Sequence, residues 1–385
     1  MTDPQVTGSE ASPAALDDLR ERVGSVLDPE IRRPLAELGM IGEVSLVDDV
    51  ARVSVMLTIT GCPAATEIEA SVREAALAAP GILRADVDVT VMSAEQRAAL
   101  MERLRPGGKT MAFGPESGTR VIAVTSGKGG VGKSSVTVNL AVALAQRGLR
   151  VGILDADVYG YSIPALMGLA PDGISVRPTR LDDAIVPPVA HDVKVISIGM
   201  FVDDTDVAVA WRGPMLQRTV TQFLTDVYFG DLDVLLIDLP PGTGDVAITV
   251  GQLLPHADVL IVTTPQPYAA GVAVRAGSLA VQTGQRVIGV VENMSASVLA
   301  DGTTLDVFGS GGAEAVVSGL ARQSVSTTVL GHIPLSPLMA QAADRGIPLV
   351  ASHAQDPAAQ ELSRVADALL KLTARENRTL PLSPR

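Results

Sequence analysis

The chain has 385 residues, long for one domain and comfortable for two. Its 30 Lys and Arg stand against 43 Asp and Glu, and the resulting −13 argues against nonspecific nucleic-acid binding or an anionic membrane surface. A single cysteine excludes an internal disulfide framework, and no uninterrupted apolar run reaches membrane-spanning length. The start of the chain is polar and acidic (Thr2, Asp3, Glu10) without an apolar signal core, so the cytosol is the expected location. Hydrophobic residues make up 47% of the chain but aromatics only 3%, so Val, Ile, Leu and Ala must fill the core.

In chain order, residues 1–12 read as disordered. An amphipathic helix is expected over Ala14–Leu27, then a turn at Asp28-Pro29-Glu30 that starts a shorter helix. Glu43–Val47 and Ala51–Ile59 read as the two strands of a hairpin turning at Asp48-Asp49. Pro63–Ala79 is helix-like, Ala85–Val91 a strand and Ala94–Leu104 a helix, completing a small α+β domain over 13–104. Cys62 stands just ahead of Pro63, a favoured first helical residue, and a thiol at a helix N-terminus is expected to have a low pKa. Pro106, Gly107, Gly108, Gly114 and Pro115 mark a linker over 105–119, before a second domain over 120–376 and a loose tail over 377–385.

That second domain opens with a strand-like apolar run, Val121–Val124, and a G-x-x-x-x-G-K-S loop from Gly127 to Ser134. A helix-patterned run, Ser134–Arg147, follows and stops at Gly148. Strand, Gly-rich loop and helix are the setting of a phosphate-binding loop. Its glycines let successive amides point inward as an anion nest at the positive end of a helix. Gly127, Lys128, Gly129, Gly130, Val131, Gly132, Lys133, Ser134 and Ser135 are therefore the expected nucleotide contacts. Lys133 would reach the β- and γ-phosphates, and the Ser134 hydroxyl would be a ligand for Mg²⁺.

Val151–Leu154 is a strand leading to Asp155-Ala156-Asp157, and Val234–Asp238 is an apolar run ending in a carboxylate. A buried parallel strand of that kind would deliver Asp238 beside the metal. Pro240 to Asp245 is a stiff-then-flexible segment suited to sensing a γ-phosphate. No Asn-Lys-x-Asp guanine motif occurs, so ATP is expected rather than GTP, and Val287–Glu292 reads as a strand ending at Asn293. The whole reads as an α/β domain with a doubly wound, mainly parallel P-loop sheet, its ligand at the carboxyl ends of the strands. Glu361–Leu370 reads as a short final helix, not notably basic and unlike a membrane-targeting one. His191, His256, His332 and His353 show no ligand spacing and read as surface or loop residues; Trp211 reads as at least as suited to packing as to ligand contact.

Lys128, which the general motif does not demand, makes the loop resemble the deviant Walker A form of the ParA/MinD/nitrogenase-iron-protein superfamily. That resemblance implies a homodimer in which Lys128 crosses to the partner's phosphates. It also implies that Asp157 positions or deprotonates the attacking water, with Asp155 supporting it near Mg²⁺, and that Asn293 lies against adenine. Asp157-Val-Tyr-Gly160, Trp211-Arg-Gly-Pro-Met215, Asp238-Leu-Pro-Pro-Gly-Thr-Gly-Asp245, Thr264-Pro-Gln266, Glu292-Asn-Met-Ser295, Phe308-Gly-Ser-Gly-Gly312, Gly331-His-Ile-Pro-Leu335 and Asp344-Arg-Gly-Ile-Pro348 occur in order. Over residues 115–370 they resemble the Mrp/ApbC branch, the iron–sulfur cluster carrier ATPases. The Asp-Pro-Glu-Ile and Thr-Gly-Cys-Pro blocks are similar to the SufT-like domain that many of those proteins carry in front. The resemblance implies ATP hydrolysis coupled to holding a cluster and handing it to apoprotein clients, in company with iron–sulfur assembly proteins.

Two departures stand out. Tyr161 replaces a proline usual after Tyr-Gly. Where cluster-binding members carry Cys-x-x-Cys, this chain runs Ala296-Ser-Val-Leu-Ala-Asp-Gly-Thr-Thr-Leu305, and its one cysteine is Cys62. Cys62 is thus the candidate contact for iron, a cluster or a client thiol, against the alternative of a small buried cap residue. Three functions compete: a cluster carrier, an ATP-dependent metal-insertion or assembly factor that holds no cluster, and a spatial regulator of the MinD/ParA type.

Overall fold

The structure, a computed structural model, describes residues 12–106, 108, 111–158, 160–201, 213–298 and 301–376. The ends expected to be loose (1–11 and 377–385), Tyr159 and Trp211 lie outside the described residues. The described part forms two compact units.

The first unit begins with α1 (Pro13–Gly24), started by Ser12, whose hydroxyl accepts the Ala15 amide, with Pro13 at the first helical position. Then follow α2 (Leu35–Leu38), β1 (Ile41–Val47), β2 (Val50–Leu57), α3 (Ala65–Leu77), β3 (Arg84–Val91) and α4 (Ala94–Leu104). The sheet runs β1-β2-β3, with β1 and β2 antiparallel about Asp48 (φ 56°) and β3 parallel to β2. Leu19, Leu35, Leu38, Val53, Val55, Ile68 and Leu100 build its core. The unit also takes residues 178–187 and 228–230 from the middle of the stretch read as the second domain. The first of these is a hairpin of β6 and β7, whose Leu181 and Val186 join that same core with Tyr228 packed against it.

The second unit starts with β4 (Arg120–Ser126), α5 (Lys133–Ala145), β5 (Val151–Asp155) and α6 (Ile163–Leu166). After the hairpin β6 (Thr179–Leu181) and β7 (Ala184–Val186), it resumes with β8 (Val189–Ala190), β9 (Val193–Ser197), α7 (Gly213–Asp226), β10 (Val234–Asp238), α8 (Asp245–Leu253), β11 (Asp258–Thr263) and α9 (Pro267–Gln282). β12 (Arg286–Ser295), β13 (Ser297–Val298), β14 (Thr304–Leu305), α10 (Gly312–Ala321), β15 (Val329–Pro334), α11 (Pro337–Asp344), α12 (Leu349–Ser352) and α13 (Pro357–Glu376) complete it. Eight strands lie in the order β15-β12-β11-β4-β10-β5-β9-β8, all parallel except the short edge strand β8. β5, β10 and β11 are buried along their whole length, as continuous Val/Ile/Leu runs require when helices cover both faces.

The parallel register puts Asp238 level with Asp155 on one side and Val124 on the other. The two carboxylates therefore sit together at the strand ends, where the loop after β4 also emerges. Two expectations are corrected. β12 does not end at Asn293 but runs on to Ser295, because it pairs with β15 through that stretch. The final helix is not short: α13 spans 20 residues, packed along α5 and β15.

Candidate functional site

Between β4 and α5 the chain folds into a loop whose glycines are fixed by space. Gly132 has φ 77°, and a Cβ there would lie 2.3 Å from the Asn293 side-chain nitrogen. A Cβ on Gly127 would lie 2.3 Å from the Ala273 backbone nitrogen of α9. No side chain fits at either position, so the backbone itself forms the surface that a ligand meets. The loop walls a cleft of about 710 Å³. Ser126, Lys128, Gly129, Gly130, Val131, Gly132, Lys133, Ser134 and Ser135 line it from one side, with Asp157, Pro241, Gly244 and Asp245 among the rest.

Beneath the loop, Asp238 is fully buried and accepts three side-chain bonds. Lys133 Nζ (2.5 Å) and Ser134 Oγ (2.6 Å) donate to one carboxylate oxygen, and Thr137 Oγ1 (2.7 Å) donates to the other. Asp157 is the second carboxylate near the lysine, its Oδ2 at 3.7 Å from Nζ. The turn after Asp157 closes back on it: the Gly160 amide donates to Oδ1 at 3.1 Å and the Tyr161 amide to its carbonyl at 2.8 Å. Tyr161 lies over Gly199, where a Cβ would come within 2.8 Å of its ring. Pro240 and Pro241 lead to Gly242, whose amide donates to the Ser126 carbonyl at 2.8 Å, tying this segment to the start of the loop.

Asp155 is buried and does not line the cleft. Ser197 Oγ donates to it at 2.8 Å, and it accepts the Asp157 amide at 3.1 Å. Burial first, and then the neighbouring Asp238 charge, pushes its pKa up to about 8. Ser134, Asp238, Lys133 and Asp157 are thus brought together, and Asp155 holds the Asp157 turn from behind. Lys128 Nζ donates to Gln266 Oε1 at 2.8 Å, linking the loop to the Thr264-Pro-Gln266 block. Asn293 is 5% exposed, and its Nδ2 donates to the Val131 carbonyl at 2.9 Å. It supports the loop from below and is not among the residues lining the cleft.

Cys62 departs from expectation. α3 begins at Ala65 rather than Pro63, and Cys62 is buried, 8% exposed as a residue. Burial pushes its pKa up, with Glu30 and Asp28 adding to the rise; the amides of Ala64 and Ala65 act the other way without reversing it. Trp211 and Arg212 of the Trp-Arg-Gly-Pro-Met block lie outside the described residues. Sequence reasoning passed over Thr137 and Gln266, which hold Asp238 and Lys128. Thr137 was within reach, since it lies one helical turn after Lys133 on the same face of α5. His332, a surface or loop residue by its spacing, lies between Glu292 and Glu314.

Residues 118–370 match the family described as NUBPL iron-transfer P-loop NTPase, and residues 16–89 match a family of iron–sulfur cluster assembly proteins. The chain is 52% identical over 356 residues to a Mycobacterium bovis protein named iron–sulfur cluster carrier protein, covering 91% of this chain and 92% of that one. A protein of the same name from Deinococcus radiodurans is 42% identical over 355 residues, covering 92% and 94%. A solved structure from Archaeoglobus fulgidus, a nucleotide-binding protein in complex with ADP, is 38% identical with a TM-score of 0.48, covering 59% of this chain and 86% of that one. Among the described residues no helix is long and apolar enough to cross a membrane. The strand–loop–helix site and the match over most of its length together show that the chain belongs to the iron-transfer P-loop NTPase family, with an iron–sulfur assembly domain in front.

Proposed function

We propose that the protein is a Mg-dependent, cytosolic ATPase that carries iron–sulfur clusters to apoprotein clients, working as a homodimer. The observation that supports this most directly is the convergence of Lys133, Ser134 and Thr137 on the buried Asp238 under a glycine cradle. The residues fit both nucleotide and metal: the cradle has no room for a Cβ at Gly127 or Gly132, and a hydroxyl and a carboxylate meet at 2.6 Å. Ser134 and Asp238 would hold Mg²⁺, which supplies positive charge against the phosphates.

Arriving phosphates compete with Asp238 for the Lys133 ammonium, which turns from a structural partner into a counter-charge for the transferring group. The inward amides of the loop and the first turn of α5 hold the remaining oxygens. Asp157, on the cleft wall and fixed by its own turn, orients the attacking water in line with the γ-phosphate. Its backbone is held in turn by Asp155.

Cluster cargo takes thiolate ligands, and this chain supplies one buried thiol with a raised pKa. That observation favours a second reading, an ATP-dependent metal-insertion or assembly factor that holds no cluster itself. Anaerobic reconstitution with iron and sulfide, followed by visible absorbance and iron counting, separates the two. Brown protein whose colour is lost in Cys62→Ser supports a carrier acting through that thiol. Colourless protein that still hydrolyses ATP supports the second reading. Equal hydrolysis by the natural protein and Lys133→Ala overturns both.

A further inference from the structure

Away from the nucleotide cleft, three side chains from separated parts of the chain meet at the carboxyl end of the sheet. Glu292 comes from β12, His332 from the neighbouring β15, and Glu314 from the first turn of α10. His332 Nδ1 lies 3.1 Å from Glu292 Oε1, and its Nε2 lies 3.3 Å from Glu314 Oε1. One donor atom from each residue falls within 4.8 Å of the other two.

The three are not equivalent. The Glu292 side chain is 4% exposed and held on every side: it accepts the Ala313 amide at 2.9 Å and the Ser295 hydroxyl at 3.0 Å, besides facing the imidazole. Those contacts fix both the carboxylate and the ring beside it. His332 and Glu314 are 45% and 55% exposed, so the outer side of the cluster opens to solvent. A neutral imidazole has one N–H and one lone pair, yet here both ring nitrogens face carboxylate oxygens. With one N–H, the ring donates to one carboxylate and turns its lone pair toward the other, where a bound cation would join the two.

We propose that Glu292, His332 and Glu314 form a binding site for one divalent transition-metal ion, such as Fe²⁺, Zn²⁺ or Co²⁺. Two carboxylates and a neutral imidazole carry a charge that a divalent cation cancels. Mixed imidazole and carboxylate donors suit ions of that class, whereas Cu⁺ and iron–sulfur clusters favour thiolate. An ion with bonds of about 2.0–2.2 Å sits between His332 Nε2 and Glu314 Oε1, which are 3.3 Å apart, while Glu292 accepts from Nδ1 on the other side of the ring. A buried, fully bonded carboxylate that sets the orientation of a metal-ligating histidine is a recurrent arrangement around such ions. The open outer side leaves coordination positions for water or for an acceptor's ligand, so the ion is exchangeable. Next along β12, Asn293 holds the Val131 carbonyl, which puts the site one residue from a support of the phosphate loop. The proposal does not depend on the cluster-carrier reading.

The test uses full-length protein stripped with chelator, then titrated with Co²⁺ in the presence of Mg²⁺ and ADP, which keep the nucleotide cleft filled. The expected result is one Co²⁺ per chain with visible d–d bands and no thiolate charge-transfer band. Affinity should fall about 10–100-fold or more in His332→Ala and in Glu314→Gln, and stay unchanged in Cys62→Ser. ADP affinity measured in the same variants shows that they are folded. Co²⁺ affinity equal to that of the natural protein in both His332→Ala and Glu314→Gln overturns the proposal. So does a natural protein that retains neither Co²⁺ nor Zn²⁺, which would leave His332 with its two carboxylate contacts only.

Discussion

Three donors converge on Asp238, and one of them is a lysine only 6% exposed. Removing that carboxylate leaves Lys133 with Asp157 at 3.7 Å and the Ser134 hydroxyl at 3.4 Å, and leaves the Thr137 hydroxyl to the Lys133 carbonyl. Asp238→Ala should therefore cost about 3 kcal/mol in chemical denaturation, at the low end for a broken buried pair, and abolish nucleotide hydrolysis. A cost within about 0.5 kcal/mol, the range of ordinary surface changes, would deny the network that weight. Cys62 leads to a prediction of the opposite kind. Because burial raises its pKa, the thiol stays protonated at neutral pH, and alkylation by iodoacetamide should be slow in the native protein and fast once it is unfolded. The sign for stability follows: above the ordinary thiol range the unfolded chain loses its proton first, so the contribution of Cys62 falls as pH rises. Native alkylation as fast as that of a free thiol near pH 7 would restore the reactive-thiolate reading.

Elements with local signals were legible before the fold was known. α4 is legible as Ala94–Leu104, and the structure shows the capping box that starts it: the Ser93 hydroxyl accepts the Gln96 amide and the Gln96 side chain accepts the Ser93 amide. β10 is legible as Val234–Asp238 because an apolar run ending in Asp carries its own boundaries. What failed had its cause in distant pairing. β12 extends past Asn293 only because β15, some forty residues later, pairs with it. Glu292, Glu314 and His332 have no ligand spacing because three elements supply them. Most of the nucleotide loop was legible, since its chemistry lies within one short stretch, whereas the support given by Thr137, Gln266 and Asn293 depends on packing. The hairpin of β6 and β7 was invisible for a related reason: its strands are three residues each, and the core they serve lies far away in sequence. Leu181, fully buried in that core, gives the test. Leu181→Ala should destabilise the first unit by about 2–5 kcal/mol, read as faster amide exchange in β1–β3. Unchanged exchange there would mean that the hairpin only rests on the unit.

At the scale of the molecule, the chain leaves the second unit to complete the core of the first and then returns. Part of the first unit's core must therefore wait for residues 181, 186 and 228, contacts of high sequence separation that are slow to form. The same scale decides what Lys128 does. Within its own chain it is parked on Gln266 at 2.8 Å, on the wall of the cleft, while Lys133 is already committed to the buried network. A lysine held by one neutral hydrogen bond is easily redirected, and a second chain closing over the cleft would offer it phosphate oxygens. If it acts across such a dimer as an arginine finger does, Lys128→Ala should keep nucleotide binding but lose about 10³–10⁵ in turnover. Lys133→Ala, by contrast, should lose both. Turnover per chain in the natural protein should rise with protein concentration, because a lone chain lacks the partner's lysine. Normal turnover in Lys128→Ala, or a rate per chain that stays constant on dilution, would confine this lysine to its bond with Gln266 and leave hydrolysis to the single chain.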